Sequence, residues 1–402
     1  MTETLLAQTL NAWPLWVYKI PGLVFLFCFG ACVGSFINVV SYRLPAGISV
    51  ISPPSRCPTC GVLLRWYENF PIIGWLRLRG KCASCGVAIS PQYVLIEFLM
   101  ACLFLALGIY LYILHPAMPW EGTLPGPWWY YQPARTLPAL TVLLILIASL
   151  VAMTLIDART FTIPLQIPVV ATIVAVVGYA VQAIVHAPAK LGQLWPIPLV
   201  DGMWLSITIG GIIGLVISFV LLKAKVFRYS FADYNNFVKE GETLGEYPHA
   251  RREMLVELLY LLPCIVGLLV GWLIGRTWSG VELPLFIAAL GACGLGYIVG
   301  GGLVWGIRIF GSLAFGREAM GLGDVHLLAA VGAALGWRDP IFIFFGAAFV
   351  GLFWVLLTLL LGGVFKGIRR ELPYGPHLAV TTLLVIAAHH LIYPHIWQRI
   401  VP

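Results

Sequence analysis

The sequence predicts an all-α polytopic membrane protein of about ten transmembrane helices, with a small cytoplasmic four-cysteine, zinc-ribbon-like insert. Three observations predict it. The 402 residues are 60% hydrophobic and only 10% charged, with mean hydropathy +0.93. A soluble domain carries about 25% charged residues, so lipid must be the main solvent. Apolar runs near the length that crosses a bilayer, about 20 residues, recur along the chain. Four of the nine cysteines form two Cys-x-x-Cys pairs in the segment between the first two runs.

Taken in order, spans are predicted at 21–42, 92–114, 137–156, 163–185, 201–222, 255–275, 283–309, 325–337, 341–363 and 377–394. The eighth is short, as for a partial or tilted crossing. Residues 1–20 are mixed polar and aromatic and do not read as a cleavable signal. Glycines recur inside the spans (Gly30/Gly34, Gly210/Gly211/Gly214, Gly296/Gly300/Gly301/Gly302) and favour close helix contact in lipid. The organisation follows: 21–42 as the first transmembrane helix, 43–91 as the four-cysteine segment, 92–198 as membrane helices including Asp157, 199–280 as a helical pair around an inner loop at 223–254, and 281–402 as membrane helices carrying Gly-Leu-Gly-Asp. The outer segment 115–136, rich in Pro, Trp and Tyr, reads as interfacial.

Orientation follows from lysine and arginine. With the N-terminus outside, inner segments carry 18 of the 24 and outer segments 6, the bias expected of a cytoplasmic side. The net charge of +7 has no basic stripe outside loops that flank spans, so nucleic acid is not an expected partner, whereas membrane lipid is.

Cys57-Pro-Thr-Cys60 and Cys82-Ala-Ser-Cys85 are separated by 21 residues, and each pair is followed by a glycine, Gly61 and Gly86. Two such knuckles can set four thiolates tetrahedrally around Zn²⁺. The reducing cytoplasm disfavours the competing pair of disulfides. With four cysteine ligands and no open position, the zinc is structural. Cys28, Cys32, Cys102, Cys264 and Cys293 lie in apolar spans as small hydrophobes.

Acids at membrane depth are costly, and each is a candidate site. Asp201 and Glu282 sit at outer helix starts, where the dipole favours them. Glu97 and Glu257, one turn into inward-starting helices, read as structural hydrogen-bonding groups. Asp157 ends the third span and Asp324 closes Gly321-Leu-Gly323-Asp324 before the eighth. Those glycines are expected to permit close backbone approach and conformations closed to other residues. Four crossings separate the two aspartates, so both reach one membrane face. Paired carboxyls share a proton, one serving as base toward water and the other as acid toward a carbonyl. A proton-coupled transporter and a non-catalytic assembly protein with a zinc-stapled loop are the competing readings. The position of both acids at span ends, rather than at mid-membrane in paired halves, disfavours transport.

The motifs resemble, in order, the type IV prepilin leader peptidases, membrane aspartic peptidases of the Gly-x-Gly-Asp type. The resemblance rests on Gly34-Ser-Phe-Ile-Asn38 through Arg43-Leu-Pro45, on Trp66-Tyr-Glu-Asn-Phe-Pro71 and Trp75 to Tyr93, on Leu155-Ile-Asp157, on Met320-Gly-Leu-Gly-Asp324, and on Pro373-Tyr-Gly-Pro376. It implies Asp157 and Asp324 as the catalytic pair, supported by Gly321, Gly323 and His326. It implies a prepilin or pseudopilin substrate cut at the cytoplasmic face of a bacterial inner membrane. It also implies N-methylation of the new N-terminus with S-adenosylmethionine, although the sequence shows no glycine-rich methyltransferase fingerprint. His326 stands where the family has lysine, Glu68 where it has aspartate, and His377 where it has an aromatic residue. The separation of the two aspartates is longer than usual, by roughly residues 199–280.

Overall fold

The computed structural model describes residues 16–114, 133–185, 197–233, 237, 247–361 and 373–392. The N-terminal stretch, most of the aromatic outer segment and part of the inner loop at 223–254 lie outside these. Among the described residues every regular element is helical, and eight helices are long and apolar enough to cross a membrane. Two shorter apolar helices bring the apolar set to the ten predicted. The chain divides into two units, 1–119 and 120–402.

In the first unit, α1 (Trp16–Arg43) packs along α3 (Gln92–Ile109), and a short α2 (Ile73–Arg77) lies in the connecting segment. The contact needs glycine. A Cβ on Gly30 would lie 2.6 Å from the Met100 carbonyl oxygen, and one on Gly34 2.7 Å from the Glu97 Cα. Buried Asn38 donates from Nδ2 to the Tyr93 carbonyl at 3.1 Å. Glu97 reaches back to the connecting segment and accepts from the Ile72 N–H at 2.6 Å, the structural hydrogen bond its position suggested.

The second unit holds α4 (Pro133–Thr160), α5 (Gln166–Val185), α6 (Gly202–Lys223), α7 (Ala250–Gly275), α8 (Leu285–Phe315), α9 (Leu322–Leu335), α10 (Asp339–Leu361) and α11 (Tyr374–Ile392). The spanning part of α4 is the most buried of the eight long apolar helices. It contacts α5, α9 and α11. The short α9 is enclosed by α8, α5, α10, α11 and α4, and Val325 through Leu335 is buried except at His326. A lipid-facing helix must span about 30 Å; one walled in by protein need not, so 14 residues suffice here. By contrast, α6 and α7 pack on each other and present Val216, Val220, Leu269 and Leu273 outward, as side chains facing lipid do.

Backbone proximity holds these pairs together. A Cβ on Gly332 of α9 would lie 2.0 Å from the Gly296 oxygen of α8, and one on Gly296 equally close to the Gly332 oxygen. Gly210 and Gly267 repeat the arrangement between α6 and α7, at 2.0 and 2.1 Å. Gly332→Val should therefore push α8 from α9 and cost at least about 1–3 kcal/mol, the usual penalty of overpacking. A lower midpoint of thermal unfolding in detergent checks this, with Gly302→Ala, where a Cβ meets nothing within 4 Å, as the neutral control.

Asp201 caps α6 as expected, accepting from the Trp204 N–H at 3.0 Å. One sequence assignment needs correction. Arg308, counted with the inner-loop charges, is 2% exposed on α8 and forks onto Glu257 of α7, with Nη2 to Oε1 at 2.9 Å and Nε to Oε2 at 3.0 Å. A guanidinium this buried persists because the carboxylate compensates it; removing one partner alone costs about 3–5 kcal/mol. Without Arg308, the inner surplus is 17 to 6, and the bias stands.

Candidate active site

Asp157 lies near the C-terminal end of α4 and is 5% exposed. The helix ends at Thr160, whose hydroxyl bonds the Ile156 carbonyl at 3.0 Å and the Thr162 hydroxyl at 2.9 Å. Phe161 takes φ +54° and turns the chain, which brings Ile163 back under the site. A Cβ on Gly323 would meet the Ile163 Cβ at 2.8 Å, and one on Gly375 would meet the Ile163 Cδ1 at 3.4 Å. Ile163 is thus a wedge between the start of α9 and the start of α11.

Asp324 sits in the first turn of α9 and is 8% exposed. Its carboxyl meets the Gly321 N–H, and it lies close enough to Asp157 and Arg308 for both charges to act on it. The two aspartates predicted from distant spans lie on α4 and α9, which are in contact. The motif glycines meet one half of the expectation, close approach, and not the other, a special conformation. Gly321 has φ −71°, a backbone any residue adopts, and Gly323 is ordinary helix. Their service is closeness. Ile163 packs where a Gly323 side chain would be, and a Cβ on Gly321 would lie 3.4 Å from the Asp324 Oδ2.

Gly375 of Pro373-Tyr-Gly-Pro376 supplies the third side. A Cβ there would lie 2.5 Å from the Asp157 Oδ2, so the backbone of α11 closes directly over the carboxylate. The carboxyl is buried, with the Gly375 N–H as its backbone neighbour. Tyr374 beside it is tied to α10 through its hydroxyl and the Phe344 carbonyl at 2.7 Å. Gly375→Ala should displace the Asp157 carboxyl and, if Asp157 acts on substrate, lower kcat about 100-fold, the scale of a 1 Å misplacement; steady-state peptide cleavage checks it.

His326 borders a cavity of about 130 Å³ with Leu165, Val169, Thr172 and Tyr297. Sequence reading assigned no function to Ile163, Gly375 or Arg308. A motif places Gly375 but not what it covers, and nothing in an apolar run marks Ile163.

The four cysteines of 57–85 form the second constellation. Their sulfurs all lie within 4.8 Å of one another, and Cys57 Sγ and Cys85 Sγ are 3.8 Å apart. Zn–S bonds of 2.3 Å in a tetrahedron place sulfurs about 3.8 Å apart, whereas a disulfide brings them to about 2.05 Å. All nine cysteines are free thiols. Both knuckles are built alike. The Cys57 N–H donates to the Val62 carbonyl and the Cys82 N–H to the Val87 carbonyl; Gly61 at φ +73° and Gly86 at φ +70° turn the chain back. Backbone N–H groups of Cys60 and Thr59 hold the Cys57 thiol below its usual range. The Val87 N–H draws Cys85 the same way, but burial and the three neighbouring sulfurs outweigh it and push that thiol up. Four thiolates cannot gather here without a cation, and a dication fits the donor set. Between the knuckles, the Trp75 indole donates to the Ile89 carbonyl at 3.2 Å and its ring lies against Gly80, where φ is +68°.

A model of the bacterial peptidase A24 N-terminal domain matches residues 28–111. A model of the type IV leader peptidase family matches residues 252–356, which include Asp324 and begin beyond Asp157. A prepilin leader peptidase/N-methyltransferase of Myxococcus xanthus is 55% identical over 83 residues, 21% of this chain and 25% of the relative. One of Aeromonas hydrophila is 25% identical over 91% of this chain and 89% of the relative. The alignment with the Dichelobacter nodosus relative spans 38% of that protein. No solved structure matches the chain. One from Klebsiella pneumoniae is 33% identical over 43% of this chain and 72% of its own length, and with that coverage the chain belongs to the type IV leader peptidase family.

Proposed function

We propose that this protein is a membrane aspartic endopeptidase that removes the leader of prepilins or pseudopilins, with Asp157 and Asp324 as its catalytic pair. The observation that supports the reading is that two buried carboxyls lie on the contacting helices α4 and α9, one of them directly under the Gly375 backbone. Neighbouring carboxyls hold one proton between them because both cannot ionise cheaply. The ionised member takes a proton from water as the water oxygen adds to the scissile carbonyl carbon. The protonated member gives its proton to the carbonyl oxygen. In the tetrahedral diol so formed, the newly protonated member gives its proton to the amide nitrogen as the C–N bond breaks, and the other takes a proton from a diol hydroxyl as the product carboxyl forms, which restores the singly protonated pair.

The Lys/Arg bias of 17 to 6 supports cleavage at the cytoplasmic face, and the family's bacterial relatives support an inner membrane. Both acids lie at the ends of their helices, and the four helices α5 to α8 run between them in the chain, an even number that suits one shared face. A substrate with a short basic leader and a long apolar helix suits this location, since its helix stays in lipid while the cut site reaches the carboxyls. Cys57, Cys60, Cys82 and Cys85 would hold Zn²⁺, which ties the segment 44–91 into one fold.

The relatives' name also includes N-methylation, and S-adenosylmethionine is the donor we propose. Between the knuckles Trp66 is 81% exposed and stands edge-on to Tyr67, and Glu68 is turned onto the Arg65 N–H at 2.9 Å. This surface is open and does not enclose a ligand, so no methyl-transfer step is assigned to it. Mass spectrometry of a pilin N-terminus from cells with and without the enzyme tests both activities. An uncut leader in the presence of the enzyme would refute the peptidase, and a cut but unmethylated N-terminus would refute the methyltransferase.

A further inference from the structure

The segment that leads into Asp324 is held from one side by an unusual cluster. Arg308 of α8 spends Nε and Nη2 on Glu257 of α7, and Trp305 adds an indole N–H to the Glu257 Oε2 at 2.8 Å. Its remaining nitrogen, Nη1, donates to the Glu318 carboxylate and to the Met320 carbonyl. Met320 immediately precedes Gly321. The same turn is pinned at its other end, where Gly316 ends α8 at φ +75° and the Ala319 N–H donates to the Ser312 hydroxyl at 2.9 Å. Arg308 thus grips the last residue before the Gly-x-Gly-Asp segment from a point fixed on two helices.

The inner loop that follows α6 sits on this grip. The Phe231 ring lies 5.6 Å from the Arg308 guanidinium carbon. Phe231 is itself fixed, since its N–H donates to the Glu253 Oε2 at 2.8 Å. Glu253 is fully buried and paired with Arg228 and with Arg252, the latter at 3.1 Å. Arg252 also holds Asp233 at 2.9 Å, and the Tyr247 hydroxyl donates to the same aspartate. A continuous set of packed and bonded groups therefore runs from the loop through Phe231 and Arg308 to the Met320 backbone.

We propose that Arg308, oriented by Glu257 and covered by Phe231, is the positioning residue for Asp324, so that the α6–α7 insertion and its inner loop help set the geometry of the carboxyl pair. Arginine suits this role and lysine does not. Only a planar fork satisfies Glu257 at two points while a third nitrogen reaches Glu318 and the Met320 carbonyl. The inference rests on the catalytic reading of Asp324.

The test uses the full chain in proteoliposomes with a prepilin peptide, and kcat is expressed per folded molecule. Glu257→Gln with Arg308→Gln removes both charges together and leaves no unpaired buried ion. It should lower kcat about 100-fold with KM within about twofold, as loss of positioning without loss of substrate binding requires. Arg308→Lys should lower kcat about tenfold, and Phe231→Leu several-fold, again with KM unchanged. If the double variant does not insert, these two single variants decide by the same readout. Wild-type kcat in the double variant, or in Arg308→Lys, overturns the positioning role provided Asp324→Asn is inactive in the same assay. Should Asp324→Asn itself cleave, the catalytic reading fails instead.

Discussion

Asp157→Asn and Asp324→Asn should each reduce prepilin cleavage by at least about 10³-fold while the protein still inserts in the membrane. The scale follows from general acid–base catalysis, worth about 10²–10⁴-fold per group, and from the failure of a pair acting as a unit to retain partial function. Asparagine keeps the shape of the carboxyl but can neither accept a proton from water nor pass one to a carbonyl. Insertion should survive, because each side chain is a small part of its helix. Neutralising a buried acid removes a desolvation cost rather than adding one. Co-expression with a prepilin, followed by gel mobility and N-terminal mass analysis, gives the readout. Cleavage near wild-type level in either variant would remove that residue from the mechanism. Asp157→Glu is informative beside these, because its extra methylene must fit against Gly375, where the backbone already crowds the Oδ2 atom.

The second large effect concerns the knuckles. Cys57→Ser combined with Cys82→Ser removes the two buried members of the cluster and should abolish metal binding. Metal analysis of wild-type protein should find about one zinc per chain. Structural zinc binding is worth about 10–16 kcal/mol in small four-ligand domains. The segment from 44 to 91 has little else to hold it. Its regular structure is one five-residue helix and two isolated β-bridges, Arg56 with Leu63 and Lys81 with Ala88. Loss of zinc should therefore unfold this segment, seen as rapid proteolysis between residues 44 and 91, and leave the membrane helices folded. Zinc content unchanged by the double substitution would exclude the four-thiolate site. Acidification should release the metal as well, because protonated thiols are not ligands.

Much of the candidate site was legible in the sequence because its chemistry is expensive to place. Carboxylates such as Asp157 and Asp324 are rare in apolar spans, so each one points to a use, and parity alone put both at one face. Cysteines at knuckle spacing carry their geometry in four positions. Glu257 was read as structural and is, but its partner was misassigned. Arg308 lies at the edge of an apolar run, where topology explains an arginine equally well, and nothing local says that a carboxylate fifty-one positions away will bury it.

By itself the sequence determined that this is a helical membrane protein, which strands of residues cross, and which acids and thiols are available, because hydrophobic length and charge placement are properties of local composition. Only the tertiary structure decided what those groups face: that Ile163 wedges under Gly323, that Gly375 covers the Asp157 carboxyl, and that Phe231 rests on Arg308. Such contacts join residues scores of positions apart. They depend on how closely backbones approach, a quantity that helix packing sets and that no single segment encodes.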